Sequence, residues 1–495
     1  MIRFCKFVPT FENMKKDKLL VLFLILFLLG DLTYSFVEYY FTPIDGDLTS
    51  GVAFNEHIQK IFDDPFGLKM LLTGDKHINP NRFFSHIFQK EYMQTVPLCL
   101  QNIADPITSV YLSCALLKMF VHLLFLFILG GLISGTYNIL KKPFLIVTAL
   151  LVPFVQVNGY WGHMGINDHA TTYVFFFALP IVLLLAYLTS AYRITYLRVK
   201  SKPRFSVFFL SLIAAIVLPL SGPLIPGVVL VVCIVVFVYY FQNLSQKEDP
   251  LCFGKMVKVF FKIPSSIYVF LIPIAVVSMY SLFLGRFDSN FQELKISVSE
   301  RYLKLPLGIY YQITQSLGVP LLLIIIAINV FLITRFVGTI DGKKIVGALR
   351  WIGLFALIYL LLLPLGGYRP YRPNILRYDT FIPITIALIY FYGNSTYFLV
   401  NNLSGRNLKY YGSFLFTLFA IYMNSDRIET EKYQFERQCI ENLVKSPNEV
   451  TKLPATFNVM SWYPLTDPKQ SECNAIMLKF WNITKEKKLY YQSNE

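Results

Sequence analysis

LLVLFLILFLLGDLTYSFVEYYF, residues 19–41, runs directly into TPIDGDLT, residues 42–49, and the reading of that junction decides the fold. An apolar run of about 20 residues, rising 1.5 Å per residue, crosses the hydrocarbon core of a bilayer. This one is too long for the apolar core of a cleaved leader and lacks a small-residue cleavage pattern. It reads as a first membrane span that opens onto an acidic turn. Comparable runs recur along the chain, centred near residues 28, 127, 150, 181, 213, 234, 274, 327, 357, 389 and 416. The long run at 205–241 is split into a hairpin by Ser221-Gly-Pro-Leu-Ile-Pro-Gly227, because proline and glycine end helices locally.

The 495 residues are 55% hydrophobic and 15% charged, which excludes an ordinary soluble domain. The expected fold is an all-α polytopic membrane protein of about eleven transmembrane helices. The net charge of +15 is no sign of a nucleic-acid partner, because the basic residues gather at one set of helix ends. Seven cysteines without metal-ligand spacing give no reason to expect a zinc site.

The distribution of lysine and arginine orients the helices. Arg3, Lys6, Lys15, Lys16 and Lys18 precede the first span, and the alternate connections carry Lys141 and Lys142, Arg193 to Arg204, Lys247 to Lys262, and Arg335 to Arg350. The intervening connections at 156–172 and 221–227 carry no basic residue. By the positive-inside rule the amino terminus is cytoplasmic and the carboxyl-terminal tail lies outside, as in a multi-pass protein of the plasma (inner) membrane. Residues 1–423 then form the transmembrane domain, with 42–105 as its first external loop, and 424–495 form a small extracytoplasmic segment. Within the first loop, residues around Ala53–Phe62 and Phe83–Phe88 have the spacing of amphipathic helices lying along the membrane surface. Five histidines, His57, His77, His86, His163 and His169, fall on the external side.

That side also collects the polar chemistry. Asp45 and Asp47 follow the first span on a turn favoured by Pro43 and Gly46. A carboxylate there is suited to act as general base on a hydroxyl or to hold a divalent cation; capping a helix is its plain alternative. Asn167-Asp168-His169 lies between the third and fourth spans, so Asp168 can meet Asp47 across the outer surface. Lys118 and His122, one turn apart, are expected near the outer end of the second span, with simple lysine snorkelling as the alternative. The segment GGYRPYRPNILRYD, residues 366–379, places Arg369, Arg372 and Arg377 in a short polar gap stiffened by Pro370 and Pro373. Guanidinium forks suit a phosphate, and Tyr368, Tyr371 and Tyr378 are placed to stack on a sugar or to anchor the interface.

The layout resembles the GT-C superfamily of polytopic glycosyltransferases. The resemblance rests on Asp45-Gly-Asp47 after the first span, a long first external loop, Asn167-Asp168-His169 between spans three and four, and an external carboxyl-terminal segment. It implies transfer of a sugar from a polyprenyl-phosphate donor to a glycan, lipid or protein acceptor, with inversion at the anomeric carbon. It implies Asp45 or Asp47 as base, Asp168 as the acidic residue of the second loop, and Arg369, Arg372 and Arg377 as holders of the carrier phosphate. Lys118, His169 and Tyr371 complete the expected substrate-binding set. No cofactor is demanded, although a divalent cation is compatible with the acidic residues. In an oxidising compartment Cys439 and Cys473 of the tail could pair.

Two other readings stay open at this point: an O-antigen polymerase or ligase, and a transporter or flippase of an anionic lipid-linked substrate. The early position of the long loop favours sugar transfer over the first. An absence of obvious repeats, together with few ionisable residues in mid-span, argues against the second.

Overall fold

The computed structural model describes residues 11–53, 56–155, 166–195, 205–245, 261–291, 296–315, 317–368, 374–425 and 427–493. Helix α1 (Phe11–Tyr40) leads into the acidic turn, which is followed by the short helices α2 (Glu56–Asp63) and α3 (Leu68–Thr73) and the longer α4 (Phe83–Leu100). The bundle continues with α5 (Pro106–Ser134), α6 (Lys142–Leu151), α7 (Leu179–Thr195), α8 (Phe205–Val217), α9 (Ile225–Ser245) and α10 (Ser265–Leu284). It is completed by α11 (Val298–Thr314), α12 (Gly318–Leu332), α13 (Ile340–Leu362), α14 (Tyr378–Asn402) and α15 (Gly405–Ser425). The tail contributes α16 (Thr430–Lys445), β1 (Val450–Leu453), α17 (Glu472–Phe480) and β2 (Leu489–Gln492).

Every expected span centre falls on a helix. Among the described residues, seven helical stretches are long and apolar enough to cross a membrane: Asp17–Tyr40, Pro106–Ser134, Thr171–Arg193, Ile225–Asn243, Ser265–Phe287, Gly318–Val337 and Ile340–Gly366. Lys142–Phe154 and Phe208–Leu220 are apolar but shorter. Helices α14 and α15 have spanning length, yet carry polar residues such as Asn394, Ser395, Asn407 and Lys409. The expected hairpin is present: α8 closes in a 3₁₀ turn at Leu218–Leu220 and α9 starts at Ile225.

The first loop is partly what its periodicity predicts. Helix α2 covers the amphipathic stretch, whereas α4 runs for 18 residues and buries Ser85, His86, Gln89, Met93 and Pro97 instead of lying on a surface. His86 stacks edge-on against Phe176 at 4.7 Å, and burial lowers its pKa to about 3, so it is a neutral packing residue.

The tail is not a separate lobe. β1 and β2 pair in parallel, Val450 opposite Leu489, and the tail's apolar residues Ile440, Leu443, Leu453, Met477, Leu478 and Trp481 join the same hydrophobic core as α5 and α14. Trp481 is fully buried, and its indole N–H donates to the Met93 carbonyl at 2.8 Å while its own carbonyl accepts from Gln101 at 2.7 Å. The tail is therefore clamped to α4. Cys439 and Cys473 are both free thiols, so the pairing expected of them is not formed.

Candidate functional site

Helix α1 ends at Tyr40, and the chain turns at Thr42–Ser50 so that Asp45 faces inward. Asp45 is buried, with one carboxylate oxygen accepting from the Asp47 amide at 3.1 Å and the other from the Thr172 amide at 3.0 Å. Thr172 belongs to the single helical turn Thr171–Tyr173, which passes through a π-turn at Val174–Ala178 into α7. Asp45 thus caps, from a distant segment, the amino end of a helix whose first amides lack partners of their own. Burial raises its pKa, opposed by the Thr172 contacts. Asp47, one turn position on, is only partly buried and is the accessible member of the pair.

Asn167 and Asp168 are held in the same place. The Asn167 amide nitrogen donates to the Lys118 carbonyl at 2.8 Å and to the Tyr39 hydroxyl at 3.2 Å. One Asp168 oxygen accepts from the Ala170 amide at 2.8 Å, and the Tyr378 hydroxyl donates to the same carboxylate. Burial raises the Asp168 pKa to about 6 against the lowering effects of those hydrogen bonds and of Lys118. Tyr378 opens α14 beside Arg377, whose guanidinium grips Asp379 with Nε at 3.0 Å and a terminal nitrogen at 3.1 Å. The arginine fork is therefore already engaged by a carboxylate, in the planar arrangement that would equally receive a phosphate.

Lys118 lies where the snorkelling alternative does not put it. It is fully buried, donates to the His169 carbonyl at 2.6 Å, and has Asp168, Asp45 and Glu38 as its charged neighbours. In this geometry it ties α5 to the segment that carries Asp168 and His169, and it does not reach toward lipid headgroups. His122, a turn further along α5, is likewise buried, 3.0 Å from the Tyr39 hydroxyl through Nδ1. His169 itself is exposed, near Glu429 and Lys432 of the tail. Arg369, Tyr371, Arg372 and His163 lie outside the described residues.

The structure thus brings together Asp45, Asp47, Lys118, Asp168 and the Arg377–Asp379 pair at one end of the bundle. Three further groups were not singled out by sequence reading. Asp31 and Glu38 are buried within α1, and an acid inside an apolar run is itself the signal that could have found them. Asp31 lies near the middle of the Asp17–Tyr40 stretch, whereas Glu38 lies two residues from its end. The third is Glu436 of α16, fully buried, accepting from the Ile44 amide at 2.8 Å, the Tyr111 hydroxyl at 2.7 Å and the Met460 amide at 2.9 Å. Burial raises its pKa to about 7, with Asp45 adding repulsion.

Among the described residues no group of three or more His, Cys, Asp or Glu is placed to hold a metal ion. A cavity of about 300 Å³ opens between α7, α9, α13 and α14. Its walls are almost wholly apolar, including Leu184, Val232, Trp351, Phe355 and Ile386, and none of the site carboxylates lines it. It reaches Pro383, a single helical turn from Asp379 along α14.

Searches against family models, characterised proteins and solved structures found no match. The chemistry of the site is therefore its own guide to function.

Proposed function

We propose that the chain is a membrane glycosyltransferase that takes a sugar from a polyprenyl-phosphate donor and transfers it to an extracytoplasmic acceptor. The single observation that carries this reading is a cluster of polar side chains at the Arg377 end of α14 and an apolar cavity that begins one helical turn further along it, at Pro383, and extends to Tyr192 and Trp351. The cluster offers a partly exposed carboxylate, Asp47, and an arginine fork, Arg377. The cavity offers apolar walls along membrane helices, and its volume falls at the lower end of small-molecule sites. A ligand with a phosphate at one end and an isoprenoid chain at the other matches both.

In the proposed reaction Asp47 accepts the proton of the acceptor hydroxyl as its oxygen attacks the anomeric carbon. The bond from that carbon to the phosphate oxygen breaks, and polyprenyl phosphate leaves with the electron pair. Arg377 stabilises the charge that develops on the leaving phosphate, which requires its exchange from Asp379 to the donor. Asp45 and Lys118 are positioning residues: one fixes the turn that presents Asp47, the other fixes the loop that presents Asp168. On this reading the site faces the non-cytosolic side of a plasma (inner) membrane with the amino terminus inside, an orientation that the distribution of lysine and arginine supports.

A second reading, movement of an anionic lipid-linked substrate without a new bond, is favoured by one observation, the burial of Asp31, Glu38, Lys118 and His122 within α1 and α5. The two separate in proteoliposomes given a radiolabelled polyprenyl-phosphate sugar and a mixture of acceptors. Sugar transfer predicts a labelled glycosidic product from wild type, lost in Asp47→Asn and Arg377→Ala at normal expression. Full transfer by both variants would remove the site assignment, and label crossing the bilayer still attached to its carrier would favour the second reading.

A further inference from the structure

The tail supplies an unexplained aromatic surface beside the acidic turn. Trp462 packs directly onto Gly46, the residue between Asp45 and Asp47: a Cβ there would lie 2.6 Å from the Trp462 amide nitrogen and 2.8 Å from its Cδ1. Any side chain at position 46 would push the loop away. The Trp462 ring leans on Tyr173 with centroids 5.7 Å apart and planes 31° from parallel. Even so, Trp462 remains 47% exposed and the adjacent Tyr463 60% exposed.

The loop that carries them is fastened by hydrogen bonds from several segments. Met460 adopts φ +48°, a left-handed conformation costly for a residue with a side chain. That conformation is held by the Glu436 carboxylate on the Met460 amide at 2.9 Å and by the Asn474 amide on its carbonyl at 3.1 Å. Asn474 is fastened in turn to Thr49 of the acidic turn. Asn458 donates to the Trp462 carbonyl at 2.9 Å, and Ser461 to the Tyr463 carbonyl at 2.7 Å. Packing alone does not call for so firmly held a loop with its two large rings left in the open.

Resting on the sugar-transfer reading, we propose that loop 457–463 is the acceptor platform and that the acceptor is a saccharide whose terminal ring stacks on Trp462. An aromatic face is electron-rich and apolar, and the C–H bonds on one side of a pyranose make a flat, faintly positive partner for it. The hydroxyls around the edge of that sugar then project toward Asp47, one residue beyond the glycine that packs against the Trp462 backbone and the Cδ1 edge of its ring. On this proposal the tail selects the acceptor, while α14 and the cavity engage the donor.

The test uses the full-length protein in nanodiscs, free of sugar-based detergent. Maltose, cellobiose, mannobiose and chitobiose serve as probes, read by tryptophan emission and by calorimetry. At least one disaccharide is expected to perturb the emission of wild type. Its affinity should fall at least tenfold in Trp462→Ala, hold within threefold in Trp462→Phe, and weaken several-fold in Tyr463→Ala. In the transfer assay Trp462→Ala should raise the acceptor KM at least tenfold and move the donor KM by less than twofold. Equal binding by wild type and Trp462→Ala, or no binding of any probe by wild type, overturns the proposal. Saccharide binding that depends on Trp462 in a protein that transfers no sugar would keep the platform and discard the enzymatic reading.

Discussion

The amide of Ile44 donates a 2.8 Å hydrogen bond to the carboxylate of Glu436, tying the turn after the first helix to the tail more than three hundred residues later. The same carboxylate accepts from Tyr111 and Met460, so one side chain joins the acidic turn, α5 and the platform loop. Removing it leaves two buried amides and a hydroxyl without an acceptor, each worth about 1–3 kcal/mol.

Glu436 gives stability a pH dependence whose sign can be stated. Its folded pKa is raised from 4.5 to about 7. The native state therefore holds this proton where the unfolded chain has lost it, and the contribution is complete below pH 4.5. It declines as pH rises through about 7, by a total on the order of 3 kcal/mol. In thermal unfolding at a series of pH values, Glu436→Gln should lack this component. A wild-type-minus-variant difference that stays flat from pH 4 to 8 would contradict the assignment.

Asp45 and Asp47 should separate into structure and chemistry. Asp45→Ala strips the partners from the Thr172 and Asp47 amides and should lower the thermal midpoint, by the equivalent of about 2 kcal/mol. Asp47→Asn should leave the midpoint unchanged and abolish transfer. The reverse pattern would exchange their roles.

Asp168 sets an expected acid limb for activity. With its pKa raised to about 6, it is ionised above that value and able to accept from Tyr378. Transfer should fall as pH drops through about 6, and Asp168→Asn should lack that inflection. Measured pH–rate profiles of the two proteins decide the matter: an inflection that persists in the variant belongs to another group.

The cavity makes the donor's chain length measurable. Ala387 and Ala348 line it with small side chains, and phenylalanine at either position would occupy the space. Wild type should prefer a long polyprenyl donor to a short one, and both variants should lose that preference by raising the KM for the long donor. An unchanged preference would place the chain elsewhere, along the outer surface of the helices.

Much of this architecture is legible in the sequence, for identifiable reasons. Apolar runs report helix positions, because length and hydropathy are local properties, and each expected centre falls on a helix. The acidic turn is visible as a motif, and its alternative role as a helix cap is fulfilled by Asp45, but the helix it caps belongs to a segment over a hundred residues away. No local pattern encodes that partner. A span of average length counted back from Lys141 puts Lys118 near the outer interface, and α5, at 29 residues, is long enough to project beyond such a span; what the sequence does not show is that the polar neighbours of Lys118 come from other segments. Glu436 sits in TEKYQFERQCIENLVK among charges that look solvent-facing. The β1–β2 pair is four residues per strand, too short for alternation to register.

The most direct measurement of the central claim is the ratio of polyprenyl phosphate released to glycosidic bonds formed by the purified protein. Transfer at the Asp47–Arg377 site predicts one carrier phosphate freed for each new bond by wild type, and neither product from Asp47→Asn. Carrier release without bond formation, or equal yields from both proteins, would contradict it.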